Sequence, residues 1–182
     1  MRKLTLFMHC SLDGFVAGPN GEMDWILVEE EIFELAGKRI DEADTALYGR
    51  VTYQMMEAYW PTAGDQPEAS KHDIDHSRWY NKVEKVVLSK SMKGQVLENT
   101  TIISDHLVEQ IALLKQKPGK EILMFGSPGA AHALMEHDLI DEFWLFVNPI
   151  LLGHGISLFP IQEDRRKLRL ISSNAFANGV IA

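Results

Sequence analysis

The chain has 182 residues, 46% of them hydrophobic and 24% charged, which is the size and composition of one soluble domain spanning residues 1–182. A net charge of −8 argues against a nucleic-acid backbone as partner, and a lone cysteine, Cys10, excludes an intrachain disulfide framework. No apolar run reaches membrane length and the N-terminal run is too short for a signal peptide, so no membrane partner and a cytoplasmic location are expected.

Leu4 to His9 reads as a buried strand, ended by the turn signal Cys10 to Gly14; a second turn signal follows at Gly18 to Gly21. The long loop before Trp25 is of the kind that carries function. From Glu29 to Ala43, Ile32, Phe33, Ala36, Ile40 and Ala43 recur at helical spacing, with glutamates first and Lys38 and Arg39 later, as the helix dipole favours. Thr45 to Tyr48 is a short strand cut by Gly49 and Arg50. A helix is predicted from about Thr52, ended by Trp60 and Pro61, and Thr62 to Asp75 has the composition of a surface loop. His72 in that stretch and His76 just after it are at metal-ligand spacing, but no third ligand is indicated and no metal is expected.

Trp79 and Tyr80 belong to a short helical piece before the strand Lys85 to Ser89, and Thr101 to Ser104 is a further strand. Asp105 is predicted to cap a helix that Pro118 and Gly119 stop. The strand Ile122 to Phe125 runs into Gly126, Ser127, Pro128 and Gly129, where Ser127 suits an N-cap and Pro128 the first helical position. Asp141 to Leu151 is a long apolar strand, and Leu168 to Ile171 and Ala175 to Ile181 are predicted closing strands. The basic run Arg165 to Arg169 reads as a solvated turn and strand edge. Alternating strands and helices closed by strands predict an α/β fold with a mostly parallel sheet and an antiparallel C-terminal edge.

Three strands end in similar turns, at Gly49-Arg50-Val51-Thr52, Ser89-Lys90-Ser91 and Gly126-Ser127-Pro128-Gly129. Together they offer an arginine, a lysine, hydroxyls and two helix N-termini at the strand ends where open α/β sheets bind ligands. That set suits a diphosphate plus one further phosphate, the anionic groups of NADPH. The Gly-x-Gly-x-x-Gly fingerprint is absent, so a standard Rossmann site is not expected.

The ordered motifs Ser11-Leu-Asp-Gly14, Gly21-x-x-x-Trp25, Tyr48-Gly-Arg-x-Thr-Tyr53, Leu88-Ser-Lys90, Gly126-Ser127, Leu139-Ile-Asp-Glu142 and Pro149-x-Leu-Leu-Gly-x-Gly155 span nearly the whole chain. They resemble stand-alone proteins related to the C-terminal reductase domain of the riboflavin-biosynthesis deaminase–reductase, within the dihydrofolate reductase-like superfamily. The resemblance implies a three-layer sandwich around a central mixed sheet, an NADPH-dependent oxidoreductase acting on a small heterocyclic or conjugated substrate, and a homodimer. It places Gly49, Arg50, Thr52, Ser89, Lys90, Gly126, Ser127, Gly129 and Ala130 at the cofactor, with Trp25 beside the nicotinamide. Cys10 and Met23 fall near the substrate. The riboflavin-pathway reductases carry a glutamate where this chain has Phe125, a substrate-side position, which argues against the riboflavin-pathway activity; no deaminase domain is present. Glu29 and Glu30 are candidates for the carboxylate that holds a pteridine in dihydrofolate reductase. Asp13, on the loop expected to line the pocket, is the candidate acid. The alternative is a nucleotide- or ligand-binding protein that keeps the fold without turnover; a transferase reading lacks any nucleophile–base pair.

Overall fold

The central strands are buried nearly continuously, and successive side chains alternate between two cores, one on each face of the sheet. In the computed structural model, which describes residues 1–161 and 165–182, Leu4, Leu6, Met8 and Cys10 of β1 (Leu4–Ser11) face one way. They join Ile122 and Met124 of β6 (Glu121–Phe125), beneath α4 (Leu107–Gln116) and α5 (Pro128–Met135). On the opposite face Tyr48 of β3 (Ala43–Gly49), Val87 of β4 (Glu84–Leu88) and Leu123 and Phe125 of β6 are covered by α1 (Glu30–Ile40), α2 (Arg50–Ala63) and α3 (Lys71–Tyr80). Helices thus cover both faces of the sheet, the expected α/β sandwich.

The sheet has six strands in the order β5-β4-β3-β6-β1-β7, where β5 is Thr100–Ile103 and β7 is Glu142–Asn148, and its five pairings are all parallel. From β3 the chain moves outward through β4 to β5, then returns to insert β6 between β3 and β1. The strand order therefore reverses beside β3 and β6, where a crevice opens at the carboxyl ends of the strands. The amino ends of the strands are tied by ions: Arg39 bridges Glu121 and Glu142 at 2.8 and 2.9 Å, and Lys115 meets Asp141 at 2.6 Å.

Several local expectations change. The loop after β1 contains a short strand, β2 (Phe15–Ala17), paired antiparallel with β8 (Ile156–Ser157) in a second, two-stranded sheet. Gly155 permits that pairing, because a Cβ there would lie 2.2 Å from the Ala17 carbonyl oxygen. Pro61 does not end α2, which runs on to Ala63; the proline withholds only its own N–H so near the helix end, and Trp60 is held 4.0 Å from His76 of α3. Residues 71–75 are helical rather than loop, because Ser70 and Asp73 form a capping box. Asp105 does not cap α4. Its carboxylate pairs with Lys93 at 2.9 Å, and His106 takes the N-cap position at φ 49°. The C-terminal stretch forms only isolated antiparallel bridges, Val147 with Ile181 and Ala175 with Ile181, in place of two closing strands.

Candidate active site

The three strand-end turns belong to β4, β3 and β6, which lie side by side. Residues 77 apart in sequence, Gly49 and Gly126, thereby come to the rim of one cavity of about 1200 Å³. That exceeds the roughly 300–1,000 Å³ of an ordinary small-ligand pocket.

Gly49 ends β3 and is the N-cap of α2, so the α2 N-terminus opens onto the cavity, with Arg50 and Thr52 in its first turn. The Gly49 N–H donates to Ser127 Oγ at 2.7 Å, clamping the β3 turn to the β6 turn. The contact is close: a Cβ on Gly49 would lie 3.1 Å from Ser127 Cβ and 3.2 Å from Ala130 Cβ. Ser127 holds the N-cap position of α5 at φ 63°, but its hydroxyl is engaged with Gly49 and makes no cap bond. Pro128 has no N–H, and those of Gly129 and Ala130 lie in the first helical turn, which lacks intrahelical acceptors. Donors and helix dipole therefore face the cavity, and among the described residues no side chain pairs with them. A Cβ on Gly129 would meet open space.

On the β4 side, Ser89 Oγ lies 3.2 Å from Ser91 Oγ and accepts from the Met92 N–H at 3.3 Å, while the Lys90 ammonium is exposed. A fourth turn, Ser104 to Leu107 after β5, joins this wall. Lys93 holds the Asp105 carboxyl below its usual range and offsets its charge.

The remaining wall is apolar. Phe7 and Met8 of β1, Val16, Met23, Ile26, Met55, Met56 and Phe125 line it, with one polar side chain, His9. Phe7 meets Phe125 edge-on at 5.6 Å, and Tyr48 stacks behind Phe125 at 5.7 Å, so the ring is fixed in place.

Gly49, Arg50, Thr52, Ser89, Lys90, Gly126, Ser127, Gly129 and Ala130 all line the cavity, as do Met23 and Phe125. Five candidates do not. Cys10 is packed in the core, 3% exposed, where burial raises its thiol to about 11; the two residues before it, Met8 and His9, line the cavity in its stead. Trp25 is half-buried with its indole N–H on the Glu22 carbonyl at 3.1 Å, and its loop presents Met23 and Ile26 instead. Asp13 lies outside the cavity lining and does a turn's work. It accepts from Ser11 Oγ at 2.6 Å, Gly153 N at 2.7 Å and Leu152 N at 3.1 Å, and these donors lower its carboxyl below the usual range. Glu29 and Glu30 are exposed at the start of α1, away from the cavity lining. His72 and His76 share a face of α3 but stack on Phe33 and Trp60, and among the described residues no group of three metal-binding side chains forms. Sequence reasoning passes over His9 and the β5 turn; only the alternation along β1 points to His9.

The model of the RibD C-terminal domain matches residues 2–182. The chain belongs to the RibD C-terminal domain family. Two Bacillus subtilis (strain 168) proteins resemble it along their length: the uncharacterized protein YyaP, 30% identical over 99% of this chain and 92% of its own, and the uncharacterized protein YwjB, 29% identical over 98% and 95%. Among solved structures, a protein from Shewanella sp. PV-4 provisionally named for riboflavin biosynthesis superposes with a TM-score of 0.70 at 24% identity, covering 98% of this chain and 95% of that one. A diaminohydroxyphosphoribosylaminopyrimidine deaminase/5-amino-6-(5-phosphoribosylamino)uracil reductase from Thermotoga maritima gives 0.67 at 13%, and this chain spans 55% of its length. A pyrimidine reductase-like protein from Corynebacterium diphtheriae gives 0.65 at 15%, covering 99% of this chain and 89% of that one. These likenesses agree on the RibD-type fold.

Proposed function

We propose that this protein is an NADPH-dependent reductase of a small conjugated or heterocyclic substrate. One observation carries the reading: three turns far apart in sequence converge on one cavity and present two helix N-termini and two cations, Arg50 and Lys90. Family membership and reductase-named structural neighbours support it.

The residues present fit such a cofactor. The N–H groups of Gly129 and Ala130, with Gly126 and Ser127, hold the diphosphate at the α5 N-terminus. Thr52 and the α2 N-terminus flank it, and Arg50, Ser89 and Lys90 take the remaining phosphate and adenosine side. When bound, NADPH supplies a hydride. The protein's part is to align two flat groups and keep water out, and the apolar wall of Phe7, Met56 and Phe125 does both. No carboxylate of this chain stands among the residues of that wall. Phe125 offers no acceptor for a polar pyrimidine, which sets the substrate apart from the riboflavin-pathway one.

Titrating NADPH and NADH against tryptophan fluorescence, then following NADPH oxidation at 340 nm (about the dihydronicotinamide absorption maximum) across pterins, pyrimidines and quinones, tests the reading. Micromolar binding with turnover of one acceptor class supports it; absence of binding by either nucleotide overturns it. Binding without turnover on any acceptor would favour a non-catalytic binding protein, a reading motivated by the missing carboxylate. We also propose a homodimer, because Leu168, Leu170 and Ile171 stand exposed on a segment outside the sheet with no regular secondary structure. Sedimentation at twice the 20.6 kDa chain mass is the expected result, and a monomer mass would refute it.

A further inference from the structure

The polar side chains of the cavity come from the turns after β3, β4, β5 and β6, with one exception. His9 rises from β1 on the face it shares with Phe7 and Phe125. Its imidazole stacks on Phe146 at 4.9 Å and meets Phe7 edge-on at 5.7 Å, so the two neighbours fix the ring plane. Nδ1 is buried with no hydrogen-bond partner among the described residues, while the ring itself lines the cavity. An unpartnered buried N–H is costly, so the proton belongs on Nε2, which is not among the buried unpaired atoms. Burial lowers the imidazole to about 4, which keeps it neutral at pH 7.

The cavity's charges lie elsewhere. Its three charged side chains are Arg50, Lys90 and Asp105, all on strand-end turns, while the rings that meet His9 are those of Phe7 and Phe146, and Met23, Ile26, Met56 and Phe125 are further apolar lining of the same cavity. We infer that His9 donates a hydrogen bond from Nε2 to the substrate, and that the substrate is an uncharged, flat ring system bearing an acceptor oxygen. This rests on the assignment of the strand-end turns to NADPH, which leaves no cation for a phosphorylated substrate such as the Thermotoga maritima protein's name describes.

Calorimetric titration of 1-naphthol and 1-naphthyl phosphate into the NADPH-saturated protein tests the inference, with NADPH affinity measured separately for each variant. The expected result is that 1-naphthol binds at least about tenfold more tightly than its phosphate. His9→Leu should lose about tenfold in naphthol affinity, His9→Gln should stay within about threefold of the parent, and NADPH should bind all three alike. Equal or tighter binding of the phosphate, no binding of 1-naphthol, or unchanged affinity in His9→Leu overturns the inference while leaving the cofactor reading intact. Should NADPH fail to bind but naphthol bind in a His9-dependent way, the cofactor reading falls and the His9 contact stands.

Discussion

His76 packs against the Trp60 ring at 4.0 Å and the Trp79 ring at 5.3 Å, inside the layer that backs Phe125. Desolvation, and to a lesser extent the nearby His72, lowers its imidazole to about 3. His9 is shifted the same way, to about 4. Both folded values lie below the 6.5 of an unfolded histidine, so between about pH 6.5 and 4 the unfolded chain binds protons that the folded one refuses. Stability conferred by the neutral rings is complete above pH 6.5 and declines as pH falls, by up to about 1.4 kcal/mol per pH unit for each histidine. Urea midpoints measured from pH 7.5 to 5 should fall accordingly, with a shallower slope in His76→Asn. An identical slope in that variant would show that His76 does not titrate this way. Asp13 teaches the same lesson about environment. Its carboxylate is saturated by three donors of the 11 and 152–153 segments, so the ordinary turn preference of aspartate accounts for Leu12-Asp13-Gly14.

At the scale of elements, what the sequence discloses depends on how local the cause is. Periodicity and dipole placement suffice for α1, and the Ser127-Pro128 pair marks the start of α5, because the signals lie inside those segments. The Ser70/Asp73 capping box is also local, yet the polar composition around it reads as loop. The helical course through Pro61 and the β2–β8 ribbon depend on partners distant in the chain, Trp60 on His76 and Gly155 on Ala17, and single-segment reasoning has no access to them. The clamp between Gly49 and Ser127 is of that second kind. Gly49→Ala puts a Cβ 3.1 Å from Ser127 Cβ and 3.2 Å from Ala130 Cβ, so the β6 turn must give way slightly and the clamp loosens. A loss of about 1–3 kcal/mol in unfolding free energy is expected, with NADPH affinity weakened alongside. Parental stability and affinity together in this variant would contradict a clamp that sets the spacing of the two turns.

Over the whole molecule, function is arranged by topology. Ion pairs of Arg39 and Lys115 tie the amino ends of the strands, while four turns and three helix N-termini gather at the carboxyl ends. The three turns legible in the sequence meet because β6 inserts between β3 and β1, and no motif states that insertion. The same insertion puts the apolar wall of β1 and β6 beside the anion-seeking turns, so one cavity offers both a cationic rim and an apolar wall. Among the described residues no helix is long and apolar enough to cross a membrane. The central claim, that the α5 N-terminus holds the cofactor diphosphate, is tested most directly at Gly129, where a side chain enters open cavity space and strains nothing. Leucine there should leave stability unchanged or raise it by about 0.5 kcal/mol or more, since glycine is the poorer helix former. NADPH titration of Gly129→Leu beside the parent protein is therefore decisive: binding weakened at least about a hundredfold in a fully folded variant is predicted, and parental affinity would contradict the account.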